Sequence, residues 1–134
     1  MEFTIEFYET HSGGRQVQDF LDRLKESDPD DFAALMAGLA KLRNRQYHRS
    51  PLSKLIGDDL FELRHVGKLN SRMIYFFVKG RRIIILHGVR NKARRIAPGD
   101  RKVALDRKGD WQARFGNEER IQFRPVSYRT TERP

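Results

Sequence analysis

The sequence predicts an α+β domain: a small twisted, mostly antiparallel sheet with two N-terminal helices on one face and a C-terminal helix. Three observations predict it. Hydrophobic residues alternate at the N-terminus, then recur at helical spacing, and from Ser53 onward fall into strand-like runs separated by tight turns.

The first strand is predicted over residues 2–8, where Phe3, Ile5 and Phe7 face one way and Glu2, Thr4 and Glu6 the other. After the loop "HSGGR", Val17, Phe20, Leu21 and Leu24 fall at i, i+3, i+4 and i+7, the stripe of an amphipathic helix over about 14–26. "SDPDD" signals a second helix start, with Asp28 as cap and Pro29 in the first helical position. Phe32, Leu35, Met36, Leu39 and Leu42 mark its buried stripe over about 29–45, and the short connection implies an antiparallel pair. "SKLIG", "LFELRHV", "SRMIYFFV" and "RIIILHGV" then read as consecutive strands of a meander. Pro98 opens a polar last helix over about 98–114, in which Ala104, Trp111 and Phe115 suggest the packing stripe and Gly109 costs about 1 kcal/mol relative to Ala. Residues 1–115 form the predicted domain, and 116–134, poor in apolar residues, a C-terminal extension, either disordered or laid along the surface.

With 134 residues the chain has room for one modest core. A net charge of +9 makes nucleic acid the first partner to suspect, with an acidic protein as the alternative. The absence of cysteine excludes disulfides, cysteine-ligated zinc and a cysteine nucleophile, and is consistent with a cytoplasmic location. "MEFTIEFYET" does not read as a signal peptide, and no apolar run reaches the roughly 20 residues of a membrane span.

Strand parity locates candidate chemistry. In "LFELRHV", Phe61 and Leu63 take the core side, which turns Arg64 to the open face. In "SRMIYFFV", Arg72, Ile74, Phe76 and Val78 share one face, and Met73, Tyr75 and Phe77 the other, so this strand is central and Tyr75 takes a core position. In "RIIILHGV", Ile83, Ile85 and His87 are expected on one face. Pairing the first two strands across "GKLN" brings Arg64 and Arg72 together as a cationic pair on the open face, serving either to hold a phosphate or to bridge Glu62 or a neighbouring helix. "HGVRNKARR" adds Arg90, Lys92, Arg94 and Arg95 as phosphate-facing cations, with His87 just before them. The histidines show no metal-ligand spacing, so neither metal nor cofactor is expected. Cations, one histidine and hydroxyls suit RNA cleavage, in which the 2′-hydroxyl is the internal nucleophile.

"LSKLIGDDLFELR", "SRMIYFF" and "RIIILHGVRNK", followed by Pro98 and a basic helix, resemble the RelE/ParE toxin superfamily and its phage-derived HigB-like branch over about residues 1–112. The resemblance implies a RelE-like fold and a toxin of a type II toxin–antitoxin system. It further implies a metal-independent endoribonuclease (an mRNA interferase) that cuts mRNA on the ribosome and is held inactive by a helix-turn-helix antitoxin. Arg64 falls on the arginine of the family's "LFELR", Arg72 on the arginine of its "YRI-Y" strand, Tyr75 on that strand's second tyrosine, and His87 on its "LLHG". Ser71 stands where the family often has tyrosine and Val89 where phenylalanine is usual, while Arg90 and Lys92 replace a "KK" doublet in altered spacing. The implied catalytic set is Arg64, Arg72 and His87; at His87 a structural role at the strand end and an acid/base role are equally compatible. Rival readings are a ParE-like poison of DNA gyrase and a non-catalytic phage-derived binding protein.

Overall fold

The computed structural model describes residues 2–122, with side chains described for residues 2–116. The chain divides into two compact units, Met1–Ala104 and Leu105–Pro134, and the boundary falls inside the last helix.

The elements run β1 (Thr4–Phe7), α1 (Gln16–Ser27), α2 (Pro29–Lys41), a 3-10 turn (Arg45–Tyr47), β2 (Ser53–Gly57), β3 (Leu60–Val66), β4 (Asn70–Val78), β5 (Arg82–Asn91) and α3 (Pro98–Gln122). The predicted α+β class holds: five strands lie in the order β1-β5-β4-β3-β2, antiparallel except for β1, which pairs parallel with β5. β1 reaches the far edge because the two helices intervene before the meander, a crossover of the length that parallel pairing needs.

Boundaries moved where backbone groups found other partners. α1 starts at Gln16 rather than 14 because Gly14 is bound into a turn, its N–H donating to Thr10 Oγ1 at 2.6 Å and its carbonyl accepting from Thr10 at 2.9 Å. α2 starts as expected, with Asp28 Oδ1 accepting from the Asp31 N–H at 3.1 Å and Pro29 in the first helical position. It stops at Lys41, short of 45, where the Arg43 carbonyl accepts from Phe3 N–H at 2.8 Å and Asn44 caps the 3-10 turn. α3 continues past the predicted end at 114, to Gln122. The predicted extension lies outside the described residues beyond 122.

On one face of the sheet Leu63, Met73, Tyr75, Ile83 and Ile85 pack with Val17, Leu21 and Leu24 of α1 and Leu35 and Leu39 of α2. Met36, expected in that stripe, is exposed, and Asp31 is buried instead. Gly88 lets α1 approach: a Cβ there would lie 2.4 Å from Phe20 Cδ2. On the far face Leu60, Ile74, Phe76, Ile84 and Leu86 are also buried, so β4 is covered on both sides as its sequence predicts.

One expectation of parity fails. Tyr75 is opposite Ile85, but the next β4 residue, Ile74, is opposite His87, which leaves Leu86 as a bulge. The extra residue reverses the alternation. His87 therefore leaves the helix face of Ile83 and Ile85 and joins Ile74 on the far face.

Within the second unit, the Trp111 and Phe115 rings lie 5.1 Å apart and Arg114 bonds Asp110 one turn back at 2.8 Å.

Candidate nucleic-acid interface

Strand register places one row of side chains across four strands on the far face. Lys54 is opposite Glu62, Glu62 opposite Ile74, and Ile74 opposite His87. At about 4.8 Å per strand, His87 stands about 10 Å from Glu62 at the backbone. The first turn of α3 ties the two ends of this row. Asp100 Oδ1 lies 2.8 Å from His87 Nε2 on β5. The next residue, Arg101, donates from Nη1 to the Ile56 carbonyl and from Nη2 to Asp58 Oδ2, both at 2.6 Å.

A cleft of about 360 Å³ opens beside this turn, lined by Lys54, Leu55, Ile56, Glu62, Arg94, Arg95, Ile96 and Arg101. Lys54, Arg94 and Arg95 are exposed. The sole carboxylate lining the cleft, Glu62, is buried, its side chain 5% exposed, with Oε2 3.6 Å from Arg72 Nε. The cleft therefore offers exposed cations beside a buried ion pair, an arrangement suited to a polyanion.

Arg72 holds the loop that supplies those cations. Its side chain is 0% exposed. Nη2 donates to the Ala93 carbonyl, and Nη1 to Asn91 Oδ1 at 3.4 Å. Asn70 Nδ2 donates to the same Ala93 carbonyl at 2.9 Å, and Asn91 Oδ1 also accepts from the Ala93 N–H at 3.0 Å. The backbone at Ala93 is thus bound by three side chains, and Lys92, Arg94 and Arg95 project from it into solvent.

The predicted site residues separate into groups. Arg64 and Arg72 are register partners, as the hairpin implies, but they do not form an open-face pair. Arg72 is buried because Glu62, Asn91 and Ala93 supply its counter-charge and acceptors. Arg64 is exposed and lines a different cavity, beside α2 and residues 46–52. Arg90 does not join the loop cations either. β5 runs two residues past its predicted end, and register puts Arg90 on the helix face, where Nη2 meets Asp28 Oδ2 at 2.7 Å and Asp31 Oδ2 at 3.2 Å. Asp31 also meets His65 Nε2 at 3.2 Å, so the network binds α2, β3 and β5 together. Tyr75 is core: burial raises its phenol above the usual 10.0, the bond it donates to Ser53 Oγ at 2.9 Å works the other way, and the ring stays a neutral donor.

Lys54, Asp100 and Arg101 were not singled out by sequence, whereas Glu62 was named as a bridge for the arginine pair and meets Arg72. Parity already set Glu62 opposite Phe61 and Leu63, and that was the available signal. The His87–Asp100 contact depends on the Leu86 bulge, which no local pattern marks. Among the described residues no three His, Asp or Glu side chains gather as a metal site would require, and no helix is long and apolar enough to cross a membrane.

Residues 19–108 match the family model described as phage derived protein Gp49-like (DUF891). This stretch contains the row, the cleft and the loop. No curated protein matches the chain.

Proposed function

The chain belongs to the Gp49-like family of phage-derived proteins, part of the RelE/HigB-like toxin group of toxin–antitoxin systems, and on that premise we propose that it is a translation-inhibiting mRNA endoribonuclease. The carrying observation is the cationic cleft formed by Lys54, Arg94 and Arg95 over the buried Glu62–Arg72 pair. In this reading the enzyme works in the cytoplasm, on mRNA held by the ribosome, and a helix-turn-helix antitoxin silences it.

The scissile phosphate sits at the mouth of the cleft, where Lys54, Arg94 and Arg95 stabilise the charge that develops as the RNA 2′-oxygen attacks phosphorus and the bond to the 5′-oxygen breaks, leaving a 2′,3′-cyclic phosphate and a 5′-hydroxyl. His87, on the same row as Glu62 but outside the cleft lining, takes the 2′-hydroxyl proton and returns it to the leaving 5′-oxygen, with Asp100 orienting its ring from 2.8 Å. Arg72 and Arg90 are positioning residues: one fixes the loop, the other fixes β5 against the helices. Lys92 adds phosphate attraction outside the cleft lining.

Induced expression of the wild-type chain is expected to stop protein synthesis and leave cut mRNA. The Arg94→Glu, Arg95→Glu double variant, altered only at exposed positions, is expected to remove both effects while keeping its circular dichroism spectrum. A folded double variant that remains fully toxic refutes the cleft as the site. Gyrase-dependent DNA breaks with intact mRNA refute the nuclease and select the ParE-like activity.

A further inference from the structure

A second basic cavity, of about 460 Å³, lies beside α2 and the start of β2. That volume is within the roughly 300–1,000 Å³ range of ligand-holding cavities. Its lining combines three cations, Lys41, Arg49 and Arg64, with Tyr47 and the apolar Pro51 and Leu52, and among the described residues includes no Asp or Glu. Each cation is exposed, and among the described residues none is in an ion pair. Lys41 Nζ lies over the Tyr47 ring, 5.7 Å from its centroid, so a base stacking on that face takes the place of the ammonium and turns it to the phosphate.

The cavity has a structural origin. β2 begins only at Ser53, so at Arg64 the neighbouring chain supplies just the Leu52 carbonyl, which accepts from the Arg64 N–H at 3.2 Å. Before that point the chain turns through residues 45–51 instead of extending the sheet, which leaves a hollow between the turn and α2. Gln46 also lines the hollow and brings an amide, the group that reads base edges.

We propose that this cavity binds one nucleotide of a single-stranded RNA, with the base against Tyr47 and the phosphates held by Arg49, Arg64 and Lys41. An aromatic ring, an amide and uncompensated cations are the chemistry by which unpaired nucleotides are recognised. A cavity serving an acidic peptide needs the charges but gains nothing specific from the ring. Residues 49–52 line this cavity and residues 54–56 line the cleft, so one strand of RNA running along β2 passes from one to the other. The proposal rests on the RNA reading of the cleft and adds to it a site for base recognition next to the point of cleavage.

The test measures fluorescence anisotropy of the full chain with a labelled single-stranded hexanucleotide RNA, the same hexamer made abasic, and an acidic peptide of equal charge. Tyr47→Leu is expected to weaken hexamer binding roughly 5- to 160-fold, the span of one lost base–aromatic stack, and to leave the abasic hexamer unchanged. Arg49→Glu with Arg64→Glu is expected to weaken both RNAs and flatten the salt dependence. If both cavity variants bind the hexamer as the wild type does while Arg94→Glu, Arg95→Glu weakens it, the second site is overturned and the cleft stands. If the wild type binds no RNA, the RNA reading fails and the proposal with it. Tighter binding of the peptide than of either RNA, lost on the same cavity substitutions, assigns the hollow to a protein partner and overturns the proposal. Unfolding curves of each variant separate these outcomes from loss of fold.

Discussion

Arg72→Met removes a charge from the middle of the sheet without removing its counter-ion. Glu62 would remain, its side chain 5% exposed in the wild type, with no other ion-pair partner among the described residues, and the Ala93 carbonyl would lose its guanidinium donor. Breaking a buried pair from one side costs about 3–5 kcal/mol, since the remaining charge stays desolvated. With an m-value of about 2 kcal/mol/M, the urea midpoint should fall by about 2 M. The fold should survive at low temperature, because native stabilities are about 5–15 kcal/mol. The Arg72→Met, Glu62→Leu double variant removes both charges and should be less destabilised than the sum of the two single variants by at least about 1 kcal/mol, within the usual range for coupled neighbours. Urea unfolding of all four proteins, followed by circular dichroism, completes the cycle. An Arg72→Met cost below about 1 kcal/mol, or additivity of the pair, refutes the view that these side chains form one buried electrostatic unit. The same substitution removes one of the three side chains that bind the Ala93 backbone, so RNA affinity should fall even under conditions where the variant is fully folded.

Four further perturbations address other parts of the molecule. Gly88→Ala drives a methyl to within 2.4 Å of Phe20 and should cost about 1–3 kcal/mol in thermal or urea unfolding, with Phe20→Leu restoring part of the loss. The raised Tyr75 pKa means that the folded chain holds this proton at pH values where the unfolded chain has released it. Tyr75 therefore supports the fold fully below pH 10.0, its support declines as pH rises above that, and Tyr75→Phe should flatten the alkaline fall in stability seen in unfolding titrations. His87→Gln should lower RNA cleavage by about 10²–10⁴-fold with little change in RNA affinity, the size of a lost proton-transfer role. Asp100→Asn should lower the cleavage rate with RNA affinity kept; unchanged rates in both variants would assign the contact to structure alone.

Much of the fold was legible because it depends on short-range periodicity. Val17, Leu21 and Leu24 mark the buried side of α1 by spacing alone, and Asp28-Pro29 marks the start of α2 by the chemistry of a helix end. The alternation in β4 placed Tyr75 in the core and set Arg72 in register with Arg64. The site was less legible because identical residue types have opposite fates. Arg72, Arg90 and Arg94 are all arginines in or beside strands. One is buried against Glu62, one is bound by Asp28 and Asp31, and one is exposed. The difference lies in partners that come from other elements, and sequence distance hides them.

The sequence by itself determined the kinds and order of the elements, the core residues of the central strands and the positive charge that calls for a polyanionic partner. These are sums of local preferences, and local preferences survive without knowledge of what packs against them. Only the tertiary structure decided which cations are left for a ligand. The Leu86 bulge turned His87 toward Asp100, the buried pair with Glu62 withdrew Arg72 from the surface, and the late start of β2 left Arg64 beside a hollow with Tyr47. Each outcome follows from burial and long-range pairing: a charge far from any partner in sequence is freed or neutralised only when the chain has folded around it.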